Sequence, residues 1–220
     1  MPKAVVLLSG GLDSTVTLAH SIDEGNENIA LSFRYGQRHT RELLSAKAVA
    51  EHYGTEHMVM DIDLSVFRSS LIGTKNIEKD RAAIGNDIPD TYVPARNLIM
   101  LSVAAGLCES FGASMIYIGA NSVDYSGYPD CRREFFDAFG EAVAKGTKAG
   151  AEGRPIRIVT PILNMSKSEI IDRGIRLKAP LGLTWSCYLG GGKACGRCDS
   201  CMLRLKGFAD AGRKDEVEYE

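Results

Sequence analysis

Cys187, Cys195, Cys198 and Cys201 form the pattern C-x7-C-x2-C-x2-C, set among Gly190, Gly191, Gly192 and Gly196. Four thiolates this close in a chain are the donor set of a tetrahedral S4 metal centre, closed to chemistry because protein fills every position. We read it as one structural Zn2+ per chain. An iron–sulfur cluster is the rival, because C-x2-C-x2-C also occurs in ferredoxin ligation, but no C-x3-C-P element follows. Near the other end of the chain, Ser9-Gly10-Gly11-Leu12-Asp13-Ser14 follows an apolar run ending at Leu8 and precedes apolar residues at helical spacing. A strand, a glycine turn and a helix make a phosphate site. Glycine lets the backbone approach the ligand, and the helix start offers N–H donors at its positive end. Ser9 and Ser14 add hydroxyl donors. Neither Gly-x-x-x-x-Gly-Lys nor Gly-x-Gly-x-x-Gly is present, so a nicotinamide cofactor is not expected. Asp13 is acidic within an anion site and suits a Mg2+ contact or a loop-shaping role better than a phosphate contact.

The elements that must hold these residues follow from hydrophobic periodicity. Residues 4–8 read as a buried parallel strand, 15–22 as a helix, 28–33 as a strand and 57–62 as another. Between the last two lies a helix over 41–53, with Leu43, Leu44, Ala48 and Val49 on one face. This βαβαβ alternation predicts an α/β fold with a doubly wound, mostly parallel sheet. Residues 64–94 read as a long loop of the kind that forms lids or binding loops. An apolar helix over 96–111 ends at Gly112, and 115–118 is the next strand. Residues 121–133 are polar and lie just past that strand, where ligands bind in open α/β sheets. A helix over 133–148, a strand over 157–162 and a helix over 166–177 complete the domain. From Pro180 the texture changes to glycine and cysteine, then a short helix and an acidic tail. The expected division is a nucleotide-binding domain over 1–180 and a metal-binding lobe over 181–220 packed on it.

The chain has 220 residues, 45% apolar and 25% charged, with a formal net charge of −2. That near-neutral balance argues against a nucleic-acid partner, which usually leaves a basic footprint. The N-terminal apolar run is too short for a signal peptide, and no stretch approaches the ~20 apolar residues of a membrane span. The expectation is a cytoplasmic protein with no membrane partner, in which the six cysteines are thiols or metal ligands rather than disulfides. Cys108, inside the apolar helix, reads as core.

The 9–14 turn after a first strand resembles the pyrophosphate loop of the N-type ATP pyrophosphatases. Further runs narrow the likeness: Tyr35-Gly36-Gln37-Arg38-His39, Val93-Pro94-Ala95-Arg96-Asn97, Asp124-Tyr125-Ser126-Gly127-Tyr128-Pro129-Asp130-Cys131-Arg132, Ser166-Lys167-Ser168-Glu169-Ile170 and Thr184-Trp185-Ser186-Cys187-Tyr188. With the glycine turn and the cysteines they closely resemble the 7-cyano-7-deazaguanine synthase family over residues 4–208. One departure is Ala95, where the family pattern has glycine, so a slightly altered turn is expected there. The resemblance implies an adenine nucleotide α-hydrolase-like fold, ATP with Mg2+, and α-phosphate chemistry on a small molecule. It further implies conversion of 7-carboxy-7-deazaguanine and ammonia to the nitrile in queuosine-type biosynthesis, by a homodimer.

Within that frame the ATP phosphates fall to Leu8, Ser9, Gly10, Gly11, Leu12, Asp13 and Ser14. Lys167 and Arg96 are the catalytic cations, Arg38 a weaker one. Asp124 and Asp130 are acceptors for the N–H edge of a guanine-like ring, Tyr125 or Tyr128 could stack on it, and Arg132 could meet its carboxylate. Cys131 is not needed as a nucleophile, since adenylation passes through no covalent enzyme intermediate. His39 could shuttle protons, although a single histidine near a loop more often has a structural role. His20, His52 and His57 receive none. The alternatives are a tRNA-modifying thiolase or amide ligase with the same loop, and a non-enzymatic nucleotide sensor bearing zinc.

Overall fold

The computed structural model describes residues 1–37, 39–67, 69–72, 91–123 and 128–220. Five parallel strands form one sheet: β1 (Lys3–Leu7), β2 (Glu27–Arg34), β3 (Glu56–Asp61), β4 (Met115–Ile118) and β5 (Arg157–Val159). Their order is β3-β2-β1-β4-β5, with Val5 opposite both Ile29 and Ile116. The chain winds outward from β1 in one direction, then returns to its other side at β4. Between β1 and β4 the order reverses, and the crevice beyond their carboxyl ends is where such sheets bind ligands.

Helices cover both faces, because parallel strands buried on both sides need apolar partners above and below. Helix α1 (Leu12–Asp23) and α2 (Arg41–Tyr53) lie on one face, burying Leu18, Ala46 and Val49 against Ala4, Val6 and Ala30. On the other, α3 (Arg96–Phe111) and α4 (Arg133–Gly146) bury Leu101, Cys108, Phe136 and Phe139 against Val5, Leu31 and Ile116. The helix expected over 133–148 breaks at Thr147. The Thr147 side chain caps a separate one-turn helix, α5 (Lys148–Ala151). In α2 the buried face is Ser45, Ala46, Val49 and Ala50. Leu44, placed on the apolar face by sequence spacing, points to solvent at 59% exposure. Small residues face the sheet because α2 packs closely against β2 and the glycine turn.

Helix α6 (Lys167–Arg176) starts at a capping box, in which the Ser166 and Glu169 side chains each accept from the other's backbone N–H. Residues Ile170 and Ile171 pack on Leu12 and Val16 of α1 and on Phe208 of α7 (Asp199–Asp210). The 181–220 segment has its own small core of Trp185 and the four clustered cysteines, with Tyr188, Val217 and Tyr219 against it. Its tail is ordered by pairing: Ala194 N–H donates to the Glu218 carbonyl and Glu220 N–H to the Ala194 carbonyl, each at 2.9 Å. Among the described residues no helix is long and apolar enough to cross a membrane.

Candidate active site and metal centre

The 9–14 turn is held open by its own hydroxyls. Ser9 N–H donates to Ser14 Oγ (3.2 Å), Gly11 N–H to Ser9 Oγ (3.3 Å), and Ser14 Oγ–H to the Gly11 carbonyl (3.0 Å). Gly11 is the residue before α1, and having no side chain it caps nothing. The first N–H groups of α1 therefore face the crevice without a capping acceptor, the arrangement an anion needs. Gly10 is at φ +85, and a Cβ built on it would lie 2.1 Å from the Glu42 carbonyl oxygen. Only glycine fits between the turn and the start of α2. From the other side Trp185 N–H donates to the Gly10 carbonyl at 2.8 Å, so the C-terminal segment pins the turn directly.

The turn opens into a cavity of about 260 Å³. Its lining combines Ser9, Gly11, Leu12, Asp13 and Ser14 with Lys167 from α6, Arg96 and Asn97 from α3, Glu42 from α2, and Tyr35, His39, Tyr128, Trp185 and Tyr188. Leu8 and Leu31 supply apolar wall, where Leu8 N–H extends the ladder to the Leu31 carbonyl. Lys167 Nζ meets both oxygens of Asp13, at 2.7 and 2.9 Å, in a pair that is 11% and 18% exposed. The Lys167 stem lies against Gly207 of α7, where a Cβ would sit 2.3 Å from Lys167 Cγ. Helix α7 thus presses the lysine toward the turn.

Arg96 opens α3 directly after Ala95, which takes the left-handed conformation (φ 54, ψ 22). The turn expected to shift where alanine replaces glycine therefore keeps a conformation that glycine adopts readily. Burial disfavours the Arg96 charge, but Tyr35, Tyr128, Asp130 and Cys131 around it raise its pKa still further above the usual guanidinium range. It is a permanent cation on the cavity wall. Asp130 is buried, and its Oδ2 accepts from Asn97 N–H at 3.0 Å while Asn97 Nδ2 donates to the Asp130 carbonyl at 2.9 Å. Asp130 thus serves the start of α3, which its own cap residue leaves unserved.

Tyr128 lines the cavity, with its hydroxyl 2.7 Å from Thr91 Oγ1 and its ring tilted against Tyr92. Arg132 is exposed and outside the lining residues. Asp124, Tyr125 and Arg38 lie outside the described residues, as does much of the 64–94 segment. Burial pushes the Cys131 thiol up to about 12, consistent with a bystander rather than a nucleophile. Burial lowers the His39 pKa, against hydrogen bonds from its ring to the Tyr188 and Cys187 backbone, and its buried Nδ1 has no protein partner.

Sequence reasoning assigned no task to Glu42, Tyr35, Trp185 or Tyr188, all of which line the cavity. For Glu42 the available signal was an acid in a helix's first turn directly after the Tyr35–His39 run. An acid there usually just complements the helix dipole.

The four clustered cysteines are buried, and their sulfurs lie within 4.8 Å of one another, with Cys195 and Cys201 Sγ 3.9 Å apart. That spacing suits four thiolates about 2.3 Å from one ion. Backbone N–H groups of Leu189 and Cys195 point at Cys187 Sγ, and that of Cys198 at Cys195 Sγ, each at 3.4 Å. Such donors stabilise thiolate charge, so the donor set, its burial and its surroundings fit a metal ion.

Comparison with known proteins shows the family. The chain matches the family model described as queuosine biosynthesis protein QueC over residues 3–212. It is 52% identical to the 7-cyano-7-deazaguanine synthase of Picrophilus torridus, covering 100% of this chain and 92% of that one. It is also 52% identical to the 7-cyano-7-deazaguanine synthase of Acetivibrio thermocellus, covering 100% and 98%. Among solved structures, a predicted subunit of tRNA methyltransferase from Methanocaldococcus jannaschii shares the fold, with a TM-score of 0.52 and 15% identity over 100% of this chain and 93% of that one. A family model matching nearly the whole chain, and relatives half identical over all of it, show that the chain belongs to the queuosine biosynthesis QueC family of 7-cyano-7-deazaguanine synthases.

Proposed function

We propose that this chain is a carbon–nitrogen ligase that converts 7-carboxy-7-deazaguanine and ammonia to 7-cyano-7-deazaguanine, with two ATP cleaved to AMP and pyrophosphate. The observation that carries the reading is the convergence of the uncapped α1 start, Lys167 and Arg96 on one cavity, in a chain whose full-length relatives bear that name. An acid becomes a nitrile only by losing both oxygens, and neither hydroxide nor oxide leaves readily at neutral pH. The carboxylate attacks the α-phosphorus of ATP and expels pyrophosphate. Ammonia then displaces AMP to give the amide. The amide oxygen attacks a second ATP, and elimination of AMP leaves the nitrile.

The protein's part is electrostatic. The N–H groups at the start of α1, with the Ser9 and Ser14 hydroxyls, receive the departing pyrophosphate. Lys167, oriented by Asp13, neutralises it, and Arg96 holds the same charge or the substrate carboxylate. Since Lys167 engages both Asp13 oxygens, Asp13 acts by shaping the site, and Mg2+ enters with the ATP phosphates. Tyr128 offers a ring face to the deazaguanine, with Asp124 and Tyr125 as its companions. Asp130 and Arg132 support the site from outside the cavity lining.

Cys187, Cys195, Cys198 and Cys201 hold one structural Zn2+, which supplies rigidity to the 181–220 lobe and takes no part in the reaction. The chain works in the cytoplasm as a homodimer on small molecules, without nucleic acid. The net charge of −2 supports the last point over the rival tRNA-modifying reading. Incubation with ATP, Mg2+, the carboxylic acid and ammonium should yield nitrile and AMP by mass spectrometry. AMP formed only when tRNA is added would favour the rival.

A further inference from the structure

Two carboxylates line the cavity among the described residues, Asp13 and Glu42. Asp13 is bound through both oxygens by Lys167. No described side chain hydrogen-bonds to Glu42. Its backbone is nonetheless fixed: the Glu42 carbonyl sits where a side chain on Gly10 would be, so this acid is registered against the glycine turn itself. Arg96 from α3, Tyr35 beyond β2 and Cys187 from the C-terminal lobe are the ionisable groups that face it. Glu42 is half-buried, and its carboxyl, engaged by no described side chain, lines the cavity at the edge of the nucleotide site, where it meets whatever enters.

The reaction leaves a task for such a group. The nitrogen enters as ammonia with three hydrogens and leaves as a nitrile with none. Lys167 and Arg96 are cations and cannot accept these protons.

We propose that Glu42 is the general base that removes protons from the incoming nitrogen, an assignment that rests on the nitrile-forming reading above. In the first half, the nitrogen lone pair forms the C–N bond, the C–O bond to AMP breaks with its pair on the AMP oxygen, and one N–H proton passes to Glu42. In the second, the amide oxygen attacks the α-phosphorus of ATP, the P–O bond to pyrophosphate breaks with its pair on pyrophosphate, and one N–H proton passes to Glu42. The last proton leaves as the C–O bond breaks toward AMP and the C≡N bond closes. Between steps Glu42 returns its proton to solvent through the cavity mouth. Burial pushes its carboxyl up to about 7, with Arg96 opposing and Cys187 adding to the rise. A base of that strength is matched to neutral pH.

The test separates proton removal from the first adenylation, that of the carboxylic acid, in which no N–H proton moves. Wild type and Glu42→Gln are compared for acid-dependent ATP–pyrophosphate exchange without ammonium, and for nitrile formation with it. The variant should retain exchange and lose nitrile formation by a factor on the order of 10² to 10⁴, as for other general bases. Glu42→Asp, which keeps the carboxylate at shorter reach, should recover part of that loss. If Glu42→Gln forms nitrile at the wild-type rate, or loses exchange and nitrile formation equally, Glu42 is not the base. Wild-type protein that shows no acid-dependent exchange would remove instead the reading on which the proposal rests.

Discussion

Lys167, to which we assign the leaving group, shows how one side chain is positioned at the turn. It is the first residue of α6, after a sealed capping box, and its stem is pressed by Gly207 while Asp13 holds its tip. Replacing it by methionine keeps the stem packing and removes the charge. We expect kcat for AMP release to fall by roughly 10² to 10³, the usual cost of losing one preorganised donor to a developing anion. Ala95 makes the opposite kind of prediction. A non-glycine residue in the left-handed region bears strain of about 1–2 kcal/mol, and glycine carries a larger unfolded-state entropy of roughly 0.5–1 kcal/mol. Ala95→Gly should therefore raise stability by up to about 1 kcal/mol in denaturant titration while leaving turnover intact. For Glu42, a carboxyl raised to about 7 gives the sign of two pH effects. Its burial favours the neutral form, so its stabilising contribution is complete below the unfolded value near 4.5 and is lost as pH rises through 7. Nitrile formation, which needs the ionised form, should rise over that same window.

At the scale of elements, the tail is bound to the lobe by one buried ion pair. Arg204 of α7 donates to both oxygens of Asp215 at 2.6 and 2.9 Å and to Thr184 Oγ1 at 2.7 Å, with both partners 3% exposed. Burial opposes the Asp215 charge, but the Arg204 bonds win and hold its carboxyl below the usual range. Its stabilising contribution is thus present above the unfolded pKa and is lost as pH falls through the folded one. Asp215→Asn leaves the arginine buried without its counter-charge and should cost about 3–5 kcal/mol at neutral pH, read from thermal or denaturant unfolding. Sequence alone showed only an acidic tail here, because the partner lies across a turn and the pairing depends on tertiary burial. Four strands, by contrast, were legible within a residue, since parallel strands buried in a sheet are continuous apolar runs, whereas β5 stops at Val159 and not at Ile162 as the apolar run suggested. The helices over 41–53 and 96–111 were read with their boundaries, where glycines follow at 54 and 112. The face of α2 was misread because its spacing favoured the large Leu44, whereas close approach to the turn selects small residues. In the site, the glycine turn and the cysteines were readable from spacing. The Asp13–Lys167 pair was not, as its members are 154 positions apart. Asp130 was read as a ligand contact, whereas in the structure it lies outside the cavity lining and serves the start of α3, which no linear pattern reveals.

In the molecule as a whole, the cysteine cluster and the glycine turn form one mechanical unit. Trp185 joins them: its backbone N–H bonds the Gly10 carbonyl, its indole N–H donates to the Cys187 carbonyl at 3.0 Å, and the Arg41 guanidinium at the start of α2 lies 4.8 Å over its ring. Stripping the metal with a thiol-competing chelator should lower the melting temperature and also weaken ATP binding, with one equivalent of zinc released per chain by metal analysis. Full ATP affinity in the metal-free protein would sever that link.

The central claim is that each substrate oxygen departs on an adenylyl group. The most direct measurement starts from carboxylate-labelled 7-carboxy-7-deazaguanine carrying 18O at both oxygens, with mass analysis of all products. The account predicts one 18O in each of the two AMP molecules formed per nitrile, and none in pyrophosphate or water. Label appearing in inorganic phosphate, or released to water with ADP as the nucleotide product, would contradict it.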